Sequence, residues 1–297
     1  MRHFLEVDEL TPEELEVILD KSEKKDLPRL LDGKGMAILF EKPSTRTRNA
    51  MEMAVVQLGG HPVYIRPEEV GLDKRESVED IVRTLSCYHA MVGARVYSHE
   101  TVERMTSVDA VPILNLLSDL AHPMQAIGDL LTMRQELSVL EGRTVTFVGE
   151  GNNVARSLAI ACALSGMSFR LASPPGFEFS PTDIDTIEKA GGAVEHFESP
   201  TEAVDMADVV YTDTWASMGH EHEAEQRAVA FAGYQVDEAV MAAAGEKAIF
   251  LHCLPAKRGQ EVSNPVLDGP QSRVWAQAAN RMHSARGVLA WLCEENS

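Results

Sequence analysis

Short apolar runs alternate with stretches of helical periodicity twice along this chain, and nothing else in it constrains the fold as strongly. In the first series, strand-like runs at 36–40, 63–65, 91–97 and 112–116 are separated by helical patterns near 49–58, 77–89 and 99–106. A long helical pattern then runs from Pro123 to about Leu140 and reads as a connector between two halves. The second series has runs at 144–148, 169–171, 209–212 and 248–251, with helices expected near 153–165, 182–190, 201–207 and 221–230. Strands that alternate with helices need crossover connections, so parallel sheets covered by helices are expected: an α/β chain. The segment Thr11-Pro12-Glu13-Glu14 is a capping box with proline at the first helical position, and Leu15, Ile18 and Leu19 supply the buried face. A last helical pattern spans 276–293.

The most specific chemistry follows the first strand. Residues Ser44-Thr45-Arg46-Thr47-Arg48 sit at the predicted strand-to-helix turn. A helix start offers unpaired N–H groups and the positive end of the helix dipole. Two guanidinium groups and hydroxyl side chains beside it make a cradle for phosphate. The pattern lacks the glycines of a nucleotide P-loop, so a nucleotide is not implied. The plainer alternative is a Ser/Thr helix cap with solvated arginines.

Composition excludes several classes. No run of 18 apolar residues appears, so a membrane span is not expected, and Met1-Arg2-His3-Phe4-Leu5-Glu6 does not read as a signal peptide. The four cysteines, Cys87, Cys162, Cys253 and Cys293, are far apart, which suits reduced thiols in a cytoplasm better than a disulfide or zinc framework. A net charge of −19 argues against nucleic acid as a partner. Nine lysines stand against eighteen arginines, and acid excess with scarce lysine resembles proteins of salt-loving organisms, although an ordinary acidic protein fits too.

Other constellations are ambiguous by themselves. Val148-Gly149-Glu150-Gly151-Asn152-Asn153 begins like a dinucleotide fingerprint, but the third glycine position holds Val154 and the next strand end lacks a ribose-binding acid. His122 precedes Pro123, which can open a helix and bring Gln125 onto its first turn. Arg95 ends an apolar run and needs an anionic partner, either a ligand or a structural carboxylate. Cys253 follows a strand, where α/β sites lie, yet buried cysteine is commonly only packing. A Cys253–His252 hydrolase is weak, since adjacent strand residues point to opposite faces. His220 and His222 read as solvated loop residues, and no metal is expected.

Four motifs in order make the chain resemble the aspartate and ornithine carbamoyltransferases. They are Ser44-Thr45-Arg46-Thr47-Arg48, His122-Pro123-Met124-Gln125, Asp213-Thr214-Trp215-Ala216-Ser217-Met218-Gly219 and His252-Cys253-Leu254-Pro255, and the last two are similar to the ornithine branch. The resemblance implies two domains, each a parallel sheet flanked by helices, joined by two interdomain helices. Residues 1–135 would form the carbamoyl-phosphate domain, completed by the C-terminal helix 276–297, and 136–275 the ornithine domain. It implies transfer of the carbamoyl group of carbamoyl phosphate to the side-chain amine of L-ornithine, giving citrulline and phosphate, without cofactor. Carbamoyl phosphate would be held by Ser44, Thr45, Arg46, Thr47, Arg95, His122, Gln125, Cys253, Leu254 and Arg281, and ornithine by Asn153, Asp213, Ser217 and Met218. Arg95, His122, Cys253 and Asp213 would act in catalysis. The family also implies a trimer or a multiple of trimers, and a cis Leu254–Pro255 bond. The stretch 69–77 is similar to a loop reaching a neighbouring subunit, with Lys74 or Arg75 as candidates, but Glu69 and Val70 depart from the family pattern, so no catalytic role is carried over.

Overall fold

The computed structural model describes residues 1–216 and 223–297. They form two compact units, Met1–Leu131 with Ala279–Ser297, and Thr132–Ala278. The unit boundaries fall inside two helices, Pro123–Leu137 and Val274–Glu295. The first stops earlier than its sequence pattern because Ser138 takes a left-handed φ of 66°, which a non-glycine residue cannot propagate as a helix.

The first unit carries four parallel strands, β1 (Gly35–Phe40), β2 (His61–Ile65), β3 (Met91–Arg95) and β4 (Ile113–Leu117), in the order β2-β1-β3-β4. Strands β1, β3 and β4 are almost wholly buried, which is why their sequences read as unbroken apolar runs rather than alternating ones. Helices Val78–Ser86 and His99–Thr106 cover one face through Ile81, Val82, Val102 and Met105, packed against Leu39, Val92 and Ile113. The open edge of β4 is closed by Phe4, which exchanges hydrogen bonds of 2.9 Å with Ile113 and Asn115. Phe4 also meets Trp291 of the C-terminal helix edge-on, with ring centroids 6.2 Å apart. The expected capping box at Thr11 and Glu14 starts the helix Pro12–Glu23. Gly287 lets the C-terminal helix lie on it, since a Cβ there would fall 2.7 Å from the Ile18 carbonyl oxygen.

The second unit has five parallel strands, β5 (Thr144–Val148), β6 (Ser168–Ala172), β7 (Val194–Phe197), β8 (Val209–Thr212) and β9 (Ile249–His252), in the order β7-β6-β5-β8-β9. Strand β7 is not among the sequence expectations. It is an edge strand reading Val-Glu-His-Phe with its central residues exposed, so no apolar run announces it. The helix Glu238–Ala244 was likewise unexpected. The core of this unit gathers Val210, Phe231, Val240 and Phe250.

Both sheets reverse their winding once, between β1 and β3 in the first unit and between β5 and β8 in the second. In open α/β sheets the crevice at the carboxyl ends of such a strand pair is where ligands bind.

Candidate active site

At the first reversal, β1 leads through residues 41–44 into the helix Thr45–Gln57. Ser44 caps that helix, its Oγ accepting the Thr47 N–H at 3.4 Å. Thr47 is buried, and its Oγ1 accepts from Arg281 Nη2 at 2.8 Å and from Arg95 Nη1 at 3.5 Å. Guanidinium groups only donate, so the Thr47 oxygen accepts from both, and the Ser44 hydroxyl lies 3.2 Å from it as a further hydrogen-bond partner. Arg95 ends β3 opposite Phe40 of β1, and the β3–β4 register slips at Ala94/Arg95, so the side chain leaves the sheet at the reversal. Arg46 is half-buried on the first helical turn, and its guanidinium makes no hydrogen bond or ion pair among the described residues. Arg48 differs from the sequence expectation of a two-arginine cradle. It pairs with Glu52 at 2.8 Å and stacks over Tyr64 at 3.9 Å, so it is spent on the helix and β2.

His122 is 4% exposed and precedes Pro123. Its carbonyl accepts from the N–H groups of Gln125 and Ala126, which starts the helix. Burial first, then the positive charges of Arg281 and Arg95, hold the imidazole well below its ordinary value, so it is neutral. The same causes bring His122, Arg95 and Arg281 into one field around Thr47. Gln125 is fully buried, and its Nε2 donates to Asp129 at 2.7 Å. An ionised carboxylate can only accept, which fixes the amide orientation. Gln125 Oε1 then remains an acceptor with no partner among the described residues. Asp129 was missed in the sequence, although its i+4 spacing from Gln125 places the two on one helix face.

At the second reversal, Asn152 caps the helix Asn153–Leu164, its Oδ1 accepting the Val154 and Ala155 N–H groups at 3.0 Å each. Its Nδ2 donates to Asp213 Oδ2 at 3.2 Å, across the gap between β5 and β8. Asn153 occupies the first helical position beside it and is half-buried. Asn152 is the residue the sequence reading undervalued; an Asn directly before a helical pattern is a capping signal that could have found it. The glycines that mimicked a dinucleotide motif serve the chain itself. A Cβ on Gly151 would lie 2.7 Å from the Phe179 nitrogen, and the Gly151 N–H donates to Phe177 O at 2.8 Å.

Asp213 follows β8. Its Oδ1 accepts the Thr214 N–H at 2.7 Å and the Cys253 thiol at 3.0 Å. Cys253 is buried just beyond β9. Leu254 has φ 59°, and the Leu254–Pro255 bond is cis as expected. Buried Arg227 donates to Glu150 at 2.7 Å, Glu223 at 3.0 Å and the Trp215 carbonyl at 3.1 Å, which ties down both flanks of 217–222. Ser217 and Met218, expected to hold ornithine, lie outside the described residues, as do His220 and His222.

Asp213, His252 and Cys253 offer ligand atoms within 4.8 Å of one another, the spacing of a metal cluster. His252 cannot serve one. Its Nδ1 accepts the Leu254 N–H at 2.9 Å, and its Nε2 lies 3.0 Å from Glu261 Oε1. Both ring nitrogens are used, which also removes His252 as a base for Cys253. The expected contact of Arg75 with a neighbouring site is not visible within one chain; Arg75 Nη1 donates to the Glu69 carbonyl at 3.3 Å.

Residues 2–135 match the carbamoyl-phosphate-binding domain of the aspartate/ornithine carbamoyltransferases, and residues 141–292 match that family's Asp/Orn-binding domain. The chain is 44% identical to the ornithine carbamoyltransferase of Acidothermus cellulolyticus, over 99% of its own length and 97% of the relative's. It is 42% identical to that of Pyrococcus abyssi, over 98% and 95%. The solved structure of the Pyrococcus furiosus ornithine carbamoyltransferase superposes with a TM-score of 0.93 at 41% identity, covering 97% and 96% of the two chains. The anabolic enzyme of Campylobacter jejuni gives 0.94 at 34%, covering 99% and 100%.

Proposed function

Because the chain belongs to the aspartate/ornithine carbamoyltransferase family and is a carbamoyltransferase acting on ornithine, we propose the following roles for its residues in moving the carbamoyl group of carbamoyl phosphate to the side-chain amine of L-ornithine. Residues 1–131 with the end of the C-terminal helix bind carbamoyl phosphate, and the second unit binds ornithine.

The observation that carries the reading is the Arg46 cation at a helix start, unpaired among the described residues, next to Thr47, whose hydroxyl is held by two further arginines. In a chain of net charge −19, an Arg46 guanidinium with no hydrogen bond or ion pair among the described residues, close in sequence to a threonine that already receives two arginines, suits an anionic ligand. The phosphate rests on Ser44, Thr45, Arg46 and Thr47, at the positive end of the helix dipole. Arg95, Arg281, the Thr47 hydroxyl and one N–H of neutral His122 surround the ligand, and Arg95, Thr47 and His122 donate to the carbonyl oxygen as negative charge builds on it. Gln125 Oε1, left as a buried acceptor once Nε2 is engaged by Asp129, accepts from the carbamoyl NH₂. On the strength of the family motif, the backbone carbonyls of Cys253 and Leu254 are assigned to the carbamoyl NH₂.

Ornithine reacts through a neutral amine. With a lysine-like pKa of about 10.4, freeing the amine at pH 7 costs about 4.6 kcal/mol. Asp213 and Cys253 receive the ammonium and its departing proton, and Asn153, Ser217 and Met218 hold the amino-acid end. The amine attacks the carbonyl carbon, a C–N bond forms, the C–O bond to phosphate breaks, and one proton is lost. Phosphate is already a good leaving group, so no metal or organic cofactor is required.

The assembly is a cytoplasmic trimer or a multiple of trimers, tuned to high salt; the family and the acid excess support this. The test of the whole reading is stoichiometry: one citrulline and one phosphate per carbamoyl phosphate consumed, dependent on ornithine. Phosphate release without citrulline refutes it.

A further inference from the structure

The Cys253–Leu254 backbone is held by something the reaction itself does not use. Glu261 is fully buried. Its Oε1 faces His252 Nε2 at 3.0 Å and accepts the Lys257 N–H at 2.6 Å, while its Oε2 has no partner among the described residues. His252 is also buried, and its Nδ1 lies 2.9 Å from the Leu254 nitrogen. A backbone N–H can only donate, so Nδ1 must be bare, and the single proton of a neutral imidazole must sit on Nε2, facing the carboxylate. Leu254 meanwhile adopts φ 59°, a left-handed conformation that a branched side chain resists and that persists only where neighbours impose it. A buried pair of this kind is a poor stabiliser, since both groups lose their hydration. Its geometry supplies order instead.

We infer that His252 and Glu261 are a positioning pair: Glu261 fixes the imidazole tautomer, and the bare Nδ1 holds the Leu254 N–H, so that the Cys253 thiol and the Leu254 carbonyl are presented to the transferring group. The pair touches no substrate. The inference rests on the carbamoyltransferase reading for its consequence, but not for its geometry.

Two near-isosteres separate the two halves of the pair. His252→Asn keeps an oxygen near the Nδ1 position and gives up Glu261, whereas His252→Gln reaches Glu261 and leaves the Leu254 N–H without an acceptor. Small misplacements at a reacting centre cost about 10- to 100-fold. His252→Gln is expected to lower kcat at least about tenfold, with KM for both substrates within about threefold. It should also speed amide exchange in residues 251–258, read by mass spectrometry. His252→Asn should stay within about threefold of the parent in kcat and keep the slow exchange. Equal loss in both variants with unchanged exchange, or an unimpaired His252→Gln, overturns the inference. If either buried variant does not fold, Glu261→Gln, which keeps the acceptor oxygen, is compared with Glu261→Met, which does not. The Gln variant should behave like the parent and the Met variant should lose kcat and protection; the reverse order overturns the proposal. A parent chain that makes no citrulline would refute the ornithine reading alone, since the exchange data still test the pair.

Discussion

Arg46 and Arg48 stand two residues apart in one motif, yet replacing each with alanine should have opposite consequences. Arg46 has no internal partner among the described residues, so Arg46→Ala should change stability by no more than about 0.5 kcal/mol. What it loses is the ligand. A hydrogen bond to a charged group is worth about 1.5–3 kcal/mol, and about 1.4 kcal/mol is tenfold, so affinity for carbamoyl phosphate should fall about 10- to 150-fold. Arg48 pairs with Glu52 four residues on and covers the Tyr64 ring. Such a pair contributes about 0.3–0.5 kcal/mol and the ring contact about 0.5–1 kcal/mol, so Arg48→Ala should lose about 1 kcal/mol of stability and little activity. The assay is steady-state kinetics with both substrates varied, beside thermal melts with and without inorganic phosphate. Phosphate should raise the melting temperature of the parent and of Arg48→Ala, but hardly that of Arg46→Ala. Near-parental carbamoyl-phosphate affinity in Arg46→Ala, or its loss in Arg48→Ala alone, would refute the phosphate assignment.

Other expectations follow from the same geometry. Neutral His122 binds fewer protons folded than unfolded at acid pH, so its contribution is intact above the ordinary histidine value of 6.5 and is lost as pH falls below that towards its depressed folded value. His122→Asn should therefore flatten the fall of melting temperature between about pH 6.5 and 5; equal slopes in both proteins would show that His122 titrates normally. Cys253→Ala removes the thiol 3.0 Å from Asp213 and should lower kcat about tenfold while sparing carbamoyl-phosphate binding; unchanged kinetics at every pH would make Cys253 mere packing. Subunits this acidic repel one another, so light scattering should show the assembly weakening as salt is withdrawn from about 3 M to 0.1 M; a monomer active at all salts would count against both the trimer and the salt adaptation.

How much of this was legible in the sequence depended on burial. Strands β1, β3, β5 and β8 are enclosed on both faces, so their apolar runs stand out; β7, an exposed edge, carries no such signal. Ser44 to Thr47 and His122 to Gln125 could be read because each site residue lies next to a helix start that the sequence marks with a hydroxyl or a proline. The division of labour between Arg46 and Arg48 could not be read, because it depends on Tyr64 arriving from β2. Nor could the service of Asp129 to Gln125, or of Glu261 to His252, where the carboxylate acts by fixing another side chain rather than by joining a motif.

The central claim is that the amine acceptor is ornithine. Initial rates of carbamoylation of L-ornithine, putrescine, N-acetylornithine and aspartate, measured with one enzyme preparation across a salt series, test it directly. Ornithine should give citrulline with kcat/KM at least about tenfold above every other amine, a margin of about 1.4 kcal/mol at the transition state. An equal or faster reaction with any of the other three, or no citrulline at any salt concentration, would contradict it.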